Sequence, residues 1–170
     1  MKKIIIILLF SALFLSVYSQ DSVKFDILTT GSPIPAFDIV TENGIIPSST
    51  LKGNTTLLVF FATWCGPCRQ ELPQIQNKIW KKYSSDTSFK LYVIGREHSI
   101  EEVLKFKNDN KFTFPVASDK NRAVYSLFAK QFIPRSYVIN KEGIIIKQTT
   151  GYTEEEFNEL IKLIDRELKK

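Results

Sequence analysis

An apolar run at residues 56–62 predicts a buried strand, and apolar residues recur at helical spacing soon after it. The helical positions are Leu72, Ile75, Ile79 and Tyr83. A strand therefore ends and a helix begins in the short stretch between these two patterns.

The same reading predicts a regular alternation along the rest of the chain. Residues 33–40 and 89–95 read as strands, a capping box of Ser99 and Glu102 starts a helix, and 144–149 read as the last strand. A final helix follows with one apolar stripe. Strand and helix in alternation predict an α/β domain with a parallel core.

The first apolar stretch has the layout of a targeting segment. Lys2 and Lys3 precede an apolar core of about 14 residues, which is shorter than the roughly 20 residues that span a bilayer. We expect a signal peptide over 1–19, cleaved before Gln20, and export to the periplasm or another extracytoplasmic compartment. An uncleaved N-terminal membrane anchor is the alternative.

Composition and charge narrow the function classes. The net charge is +5, and removal of the two leader lysines leaves +3, too little to indicate a nucleic-acid partner. About 150 residues remain, which is enough for one domain with a complete core. We divide the chain into the signal peptide, a flexible lead-in over 20–32 and a domain over 33–170.

Both cysteines of the chain, Cys65 and Cys68, lie in the predicted strand-to-helix stretch. Unpaired N–H groups and the helix dipole favour a thiolate there, and the thiolate is the nucleophilic form of cysteine. A structural zinc site needs four ligands, and the chain adds only one histidine, His98. A static disulfide would close too short a loop to stabilise much. Redox chemistry is the favoured interpretation, with no metal and no cofactor beyond the cysteine pair.

Residues 64–68, WCGPC, reproduce a signature of thioredoxin-like proteins, and the wider run LVFFATWCGPCRQELP at 58–73 resembles the TlpA/ResA branch of exported thiol-disulfide oxidoreductases. The resemblance implies a thioredoxin-like fold: a central mixed sheet flanked by helices, with an extra N-terminal hairpin. It also implies that Pro73 kinks the active-site helix.

The resemblance assigns site residues by position. Cys65 is the attacking cysteine and Cys68 the resolving one. Trp64, Gly66 and Pro67 would contact the substrate, together with the two residues Ile133 and Pro134, of which the proline should be cis and pack against the disulfide. The Ile133 backbone would pair with an extended stretch of the partner.

The proton acceptor differs from that of ordinary thioredoxins. Thioredoxins carry an aspartate six residues before the first cysteine, and this chain has Val59 there. In the ResA-like branch a glutamate after the next strand lies beneath the disulfide, which points to Glu97 as a desolvated catalytic carboxylate. An exposed carboxylate at a helix start is the equal alternative.

Several other polar residues receive no chemical role. We expect residues 69–71 to form a solvated helix face, His98 to lie on the surface, and Arg135, where many relatives have threonine, to point into solvent. The alternative is that the positive charge of Arg135 lies near the site, where it would lower the pKa of the Cys65 thiol or select acidic partners.

The predicted function is reduction of disulfides in extracytoplasmic proteins through a mixed disulfide, by a monomer that a membrane thiol transporter recharges. A peroxiredoxin-type thiol peroxidase is disfavoured, because no Pro-x-x-x-Thr/Ser-x-x-Cys precedes either cysteine. A copper-handling module would need both cysteines and His98.

Overall fold

The computed structural model describes residues 25–170, so the predicted signal peptide over 1–19 lies outside the described residues. One seven-stranded mixed sheet forms the centre, in the spatial order β2-β1-β5-β4-β3-β6-β7. The strands are β1 (Asp38–Thr41), β2 (Gly44–Pro47), β3 (Thr55–Phe61), β4 (Phe89–Arg96), β5 (Val116–Asp119), β6 (Arg135–Ile139) and β7 (Ile145–Thr150). The mixed sheet of the sequence prediction is confirmed.

Parallel and antiparallel pairs divide this sheet into a core and two edges. Strands β3, β4 and β5 pair in parallel, whereas β6 and β7 continue antiparallel beyond β3. The hairpin of β1 and β2 is attached antiparallel to β5 and forms the other edge. This is the extra N-terminal hairpin that the resemblance implied.

The α-helical segments within residues 25–170 are α1 (Gly66–Gln74), α2 (Lys81–Tyr83), α3 (Ile100–Asp109), α4 (Tyr125–Phe128) and α5 (Glu154–Leu168). Between α1 and α2 the chain stays helical but widens into a π-helical stretch, Ile75–Trp80. Pro73 lies inside α1, directly before this stretch. A proline that cannot donate its backbone hydrogen bond is a common cause of such local irregularity.

Strand β3 is buried along its whole length because both faces of the sheet are covered. Its residues Leu57, Val59 and Phe61 join one apolar cluster with α1, α3 and α5. Leu58 and Phe60 face the other way, into a cluster with α4 and the hairpin. The end of β3, and with it the cysteine pair, is thereby fixed between two packed layers.

Residues 25–32 are not a loose lead-in. Asp26 forms a β-bridge with Ala129, and the backbone N–H groups of Ile27 and Leu28 both donate to the carbonyl of Phe128. The prediction of a flexible segment is therefore wrong for its second half, which packs on the domain.

Candidate active site

The two cysteines form a disulfide at the junction of β3 and α1, with their Cα atoms 5.3 Å apart. Cys65 is the N-cap of α1, and its sulfur accepts the backbone N–H of Cys68 at 3.2 Å. Cys68 is completely buried, while Cys65 retains 5% of its surface. An incoming thiolate or disulfide can therefore reach Cys65 and not Cys68.

A tight turn presents Trp64 beside this sulfur. The Cys65 N–H donates to the carbonyl of Ala62 at 3.1 Å, which closes a four-residue turn with Thr63 and Trp64 at its centre. Trp64 is 66% exposed, and the guanidinium of Arg96 lies over its ring, 5.8 Å from the centroid. Trp64 is therefore accessible beside the attacking sulfur, while its predicted contact with the substrate stays a prediction.

The loop before β6 forms the other side of the site. The Ile133–Pro134 peptide bond is cis, as the resemblance implied. The Ile133 carbonyl oxygen lies 3.6 Å from the Cys65 sulfur, and the N–H of Gly151 donates to the Pro134 carbonyl at 2.9 Å. The structure thus brings Cys65, Trp64, Ile133 and Pro134 together.

Phe132 is an exposed aromatic residue of this loop that the sequence reading missed. Its side chain is half exposed although its backbone has φ +70°, in the left-handed region that disfavours large side chains. The buried Tyr125 hydroxyl donates to the Phe132 carbonyl at 2.6 Å and holds this conformation. Large apolar exposure and a disfavoured backbone next to Ile133 are typical of a binding residue.

Glu71 is a second functional candidate, and its predicted place on a solvated helix face is wrong. The side chain is 2% exposed, and its Oε1 accepts a hydrogen bond from the Ser136 hydroxyl at 2.9 Å. Burial raises the pKa of Glu71 to about 7, partly opposed by that hydrogen bond. The other oxygen, Oε2, has no partner among the described residues.

Helical spacing could have revealed Glu71. It follows Cys68 by three positions, so both side chains lie on one face of α1. That face continues into Leu72 and Ile75, which are buried. Because β3 carries the buried apolar Val59 where thioredoxins have an aspartate, Glu71 supplies the buried carboxylate of this site.

Glu97 does not occupy the predicted place beneath the disulfide. Its side chain is 48% exposed, and its carboxylate pairs with Arg96 at 3.0 Å. The residue follows directly after β4 and has φ +63°, in the left-handed region. The expectation of a desolvated carboxylate at this position is therefore wrong.

His98 and Arg135, both predicted to be at the surface, are buried. His98 is 8% exposed, and its Nε2 accepts the backbone N–H of Thr63 at 3.0 Å. Arg135 is fully buried, pairs with Asp26 and donates from Nε to the carbonyl of Gln131 at 2.9 Å. Their partners are distant in sequence, which is why local patterns did not reveal their burial.

The described residues offer neither a metal-binding cluster nor a membrane-spanning helix. Residues 25–170 contain no cluster of three or more His, Cys, Asp or Glu side chains that could hold a metal ion. None of the helices in that range is long and apolar enough to cross a membrane.

Comparison with known proteins places the chain in a family. The Redoxin family profile matches residues 29–164. The chain belongs to the Redoxin family. This Redoxin-family protein is 30% identical over 162 residues to the thiol-disulfide oxidoreductase ResA of Bacillus subtilis, an alignment that covers 94% of this chain and 89% of ResA.

Solved structures place it in the same branch. One is a solution structure from Bacteroides thetaiotaomicron, provisionally described as a protein disulfide isomerase, whose sequence is 35% identical to this chain. The alignment covers 86% of this chain and 94% of the Bacteroides chain, with a TM-score of 0.82. The structure of StoA from Bacillus subtilis is 30% identical in sequence and gives a TM-score of 0.59, in an alignment that covers 78% of this chain and 98% of StoA. This Redoxin-family protein is therefore a TlpA/ResA-like member of the thioredoxin superfamily and a thiol-disulfide oxidoreductase.

Proposed function

We propose that the protein reduces disulfide bonds of extracytoplasmic proteins through the Cys65–Cys68 dithiol. The observation that carries this proposal is the asymmetry of the pair: Cys65 is reachable and receives an N–H at the start of α1, while Cys68 is sealed beneath it. The targeting layout of residues 1–19 supports action outside the cytoplasm.

In the first step the Cys65 thiolate attacks one sulfur of the substrate disulfide. A Cys65–substrate disulfide forms, the substrate S–S bond breaks, and the other substrate sulfur leaves as a thiolate that takes up a proton. The Cys68 N–H stabilises the attacking anion, because it donates to the Cys65 sulfur in this fold.

In the second step Cys68 loses its proton and attacks the Cys65 sulfur. The mixed disulfide breaks, the second substrate thiol is released, and the protein is left as the disulfide. The substrate gains two electrons and two protons, and the Cys65–Cys68 pair loses them. We assign the Cys68 proton to Glu71, a buried carboxylate with a pKa raised to about 7 that shares its helix face.

The substrate would lie between the exposed aromatic residues Trp64 and Phe132. An extended segment would cross the Ile133 backbone, with Gly66 and Pro67 beneath it at the start of α1. The 3.6 Å approach of the Ile133 carbonyl to the Cys65 sulfur brings this backbone next to the reacting atom.

Continued turnover needs a source of electrons. In an oxidising compartment that source would be a membrane thiol-transfer protein, as the resemblance implies, and no metal or organic cofactor is required. The monomeric state also stays a prediction.

A Cys68→Ser variant tests the proposal, since it stops the reaction at the mixed disulfide. Expressed with its own leader, it should accumulate extracytoplasmic proteins linked to Cys65 that dithiothreitol releases. The double variant Cys65→Ser/Cys68→Ser is the matched control and should trap none. Equal recovery from both variants, or none from Cys68→Ser, contradicts the mechanism.

A further inference from the structure

A side chain from a distant loop holds the turn that precedes Cys65. Thr63 lies at the second position of the turn from Ala62 to Cys65. That N–H donates to the Nε2 atom of His98 at 3.0 Å. The residue that His98 holds, Thr63, is therefore only two positions before the attacking Cys65.

Accepting this hydrogen bond fixes the state of the imidazole. Nε2 must be unprotonated to accept an N–H, so the ring proton of neutral His98 lies on Nδ1. Nδ1 faces the carboxylate of Glu102 at 3.8 Å. That carboxylate is itself held by the N–H of Ser99, at 2.7 Å, in the capping box of α3.

The ring has little freedom to move. The His98 backbone N–H donates to the Gly95 carbonyl at 3.3 Å, and its carbonyl accepts the Ser118 hydroxyl at 2.7 Å. The ring packs at Gly95, where an added Cβ would lie 3.5 Å from the His98 Cδ2. Strands β4 and β5 and helix α3 thus fix one nitrogen atom opposite the active-site turn.

We propose that His98 is a positioning residue for Cys65: its unprotonated Nε2 holds the turn through Thr63 and so sets the reactivity of the attacking sulfur. This rests on the proposed function of the Cys65–Cys68 pair. A turn released from Nε2 can shift Cys65 relative to the Cys68 N–H and the Ile133 carbonyl. Small misplacements of reacting groups reduce rates strongly.

Two substitutions at His98 distinguish the effect of losing the hydrogen-bond acceptor from the effect of losing the volume of the ring. His98→Gln places an amide oxygen near the position of Nε2 and can still accept the Thr63 N–H, whereas His98→Phe keeps a planar ring and has no acceptor. Ile164→Ala in α5, a buried core position, is the control for a general loss of stability.

The primary measurement is the rate of Cys65 alkylation by iodoacetamide in the reduced protein at fixed pH. We expect a loss of about tenfold in His98→Phe, the factor that one lost hydrogen bond of modest strength would give, and a change within about twofold in His98→Gln and Ile164→Ala. An unchanged rate in His98→Phe overturns the proposal, and an equal loss in His98→Gln overturns the role of the acceptor.

A second measurement uses the unsubstituted protein and avoids any folding defect. The chain has one histidine, so its imidazole nitrogen NMR signals need no assignment. We expect these signals to change between the disulfide and dithiol forms, and identical signals in both forms overturn the coupling. Neither measurement needs a protein substrate, so both stay interpretable if the Cys68→Ser trap fails.

Discussion

The hydroxyl of Ser136 donates to the carboxylate of Glu71 across 2.9 Å, between β6 and α1. Ser136 lies two residues after the cis proline Pro134, and Glu71 lies three residues after Cys68. One hydrogen bond therefore connects the loop that forms one wall of the site to the helix that carries the resolving cysteine.

Glu71 should make the stability of the protein fall as the pH rises from about 4.5 to 7. Its pKa is raised from 4.5 to about 7 by burial, so the folded state holds the proton throughout this window and the unfolded state releases it. By linkage the stabilising effect is complete below the unfolded pKa and is lost as the pH rises through the folded one.

A Glu71→Gln variant should remove this pH dependence. Relative to the unsubstituted protein it should gain up to about 3 kcal/mol of unfolding free energy between pH 4.5 and pH 8. Urea denaturation of the disulfide form at several pH values measures the difference. Parallel stability curves for the two proteins would contradict the raised pKa.

The same variant should slow the second step of the exchange reaction. Without a proton acceptor for Cys68, the mixed disulfide should persist roughly 10²-fold longer, a typical contribution of general base catalysis. Stopped-flow measurements with a chromogenic disulfide resolve the two steps.

Glu97→Gln is the control and should change neither step by more than about twofold, because its carboxylate lies in solvent and pairs with Arg96. Equal slowing in both variants would exclude the assignment to Glu71.

The sequence predicted the parts of this site that depend on local order. The apolar run of β3, the helical spacing after it and the cysteine pair between them lie within one continuous stretch, 56–83. Glu71 was also accessible from spacing, since it shares a face with Cys68. Its misassignment came from giving weight to polarity rather than to position on the helix.

Other features depend on contacts between distant segments. The partner of His98 is 35 residues away, and the partner of Arg135 is 109 residues away, in a segment that reads as loose and polar. Residue type alone predicts exposure for such side chains, and only tertiary packing shows that they are paired and buried. The prediction for Glu97 was wrong because the local pattern gave its position after β4 but not the exposure of its side chain, which pairs with Arg96.

Asp26 should be important for stability although it lies outside the predicted domain. It pairs with the fully buried Arg135, and its second oxygen accepts the Gln148 amide at 2.8 Å. An Asp26→Ala variant leaves the guanidinium buried without its counter-charge, which typically costs about 3–5 kcal/mol. Urea denaturation measures this loss.

Replacing both partners should restore much of that stability. Asp26→Ala/Arg135→Met removes the buried charge together with its partner, and a methionine can fill an irregular apolar space. The double variant should therefore be more stable than Asp26→Ala alone. Purely additive losses would show that the two side chains act independently.

Phe132 should contribute to the binding of protein substrates and not to the chemistry of the cysteine pair. Its ring is half exposed, contacts Phe25 edge to face at 5.2 Å, and directly precedes Ile133. A Phe132→Ala variant should raise KM for an unfolded protein disulfide about fivefold, as expected from losing part of one buried aromatic contact. The kcat for that substrate, and the rate with a small linear disulfide such as oxidised glutathione, should stay within about twofold. Ile45→Ala is the matched control, an exposed apolar residue on the edge strand β2, four strands away from β3, and it should leave KM unchanged. A fall in kcat with unchanged KM would instead place Phe132 in control of the reacting sulfur.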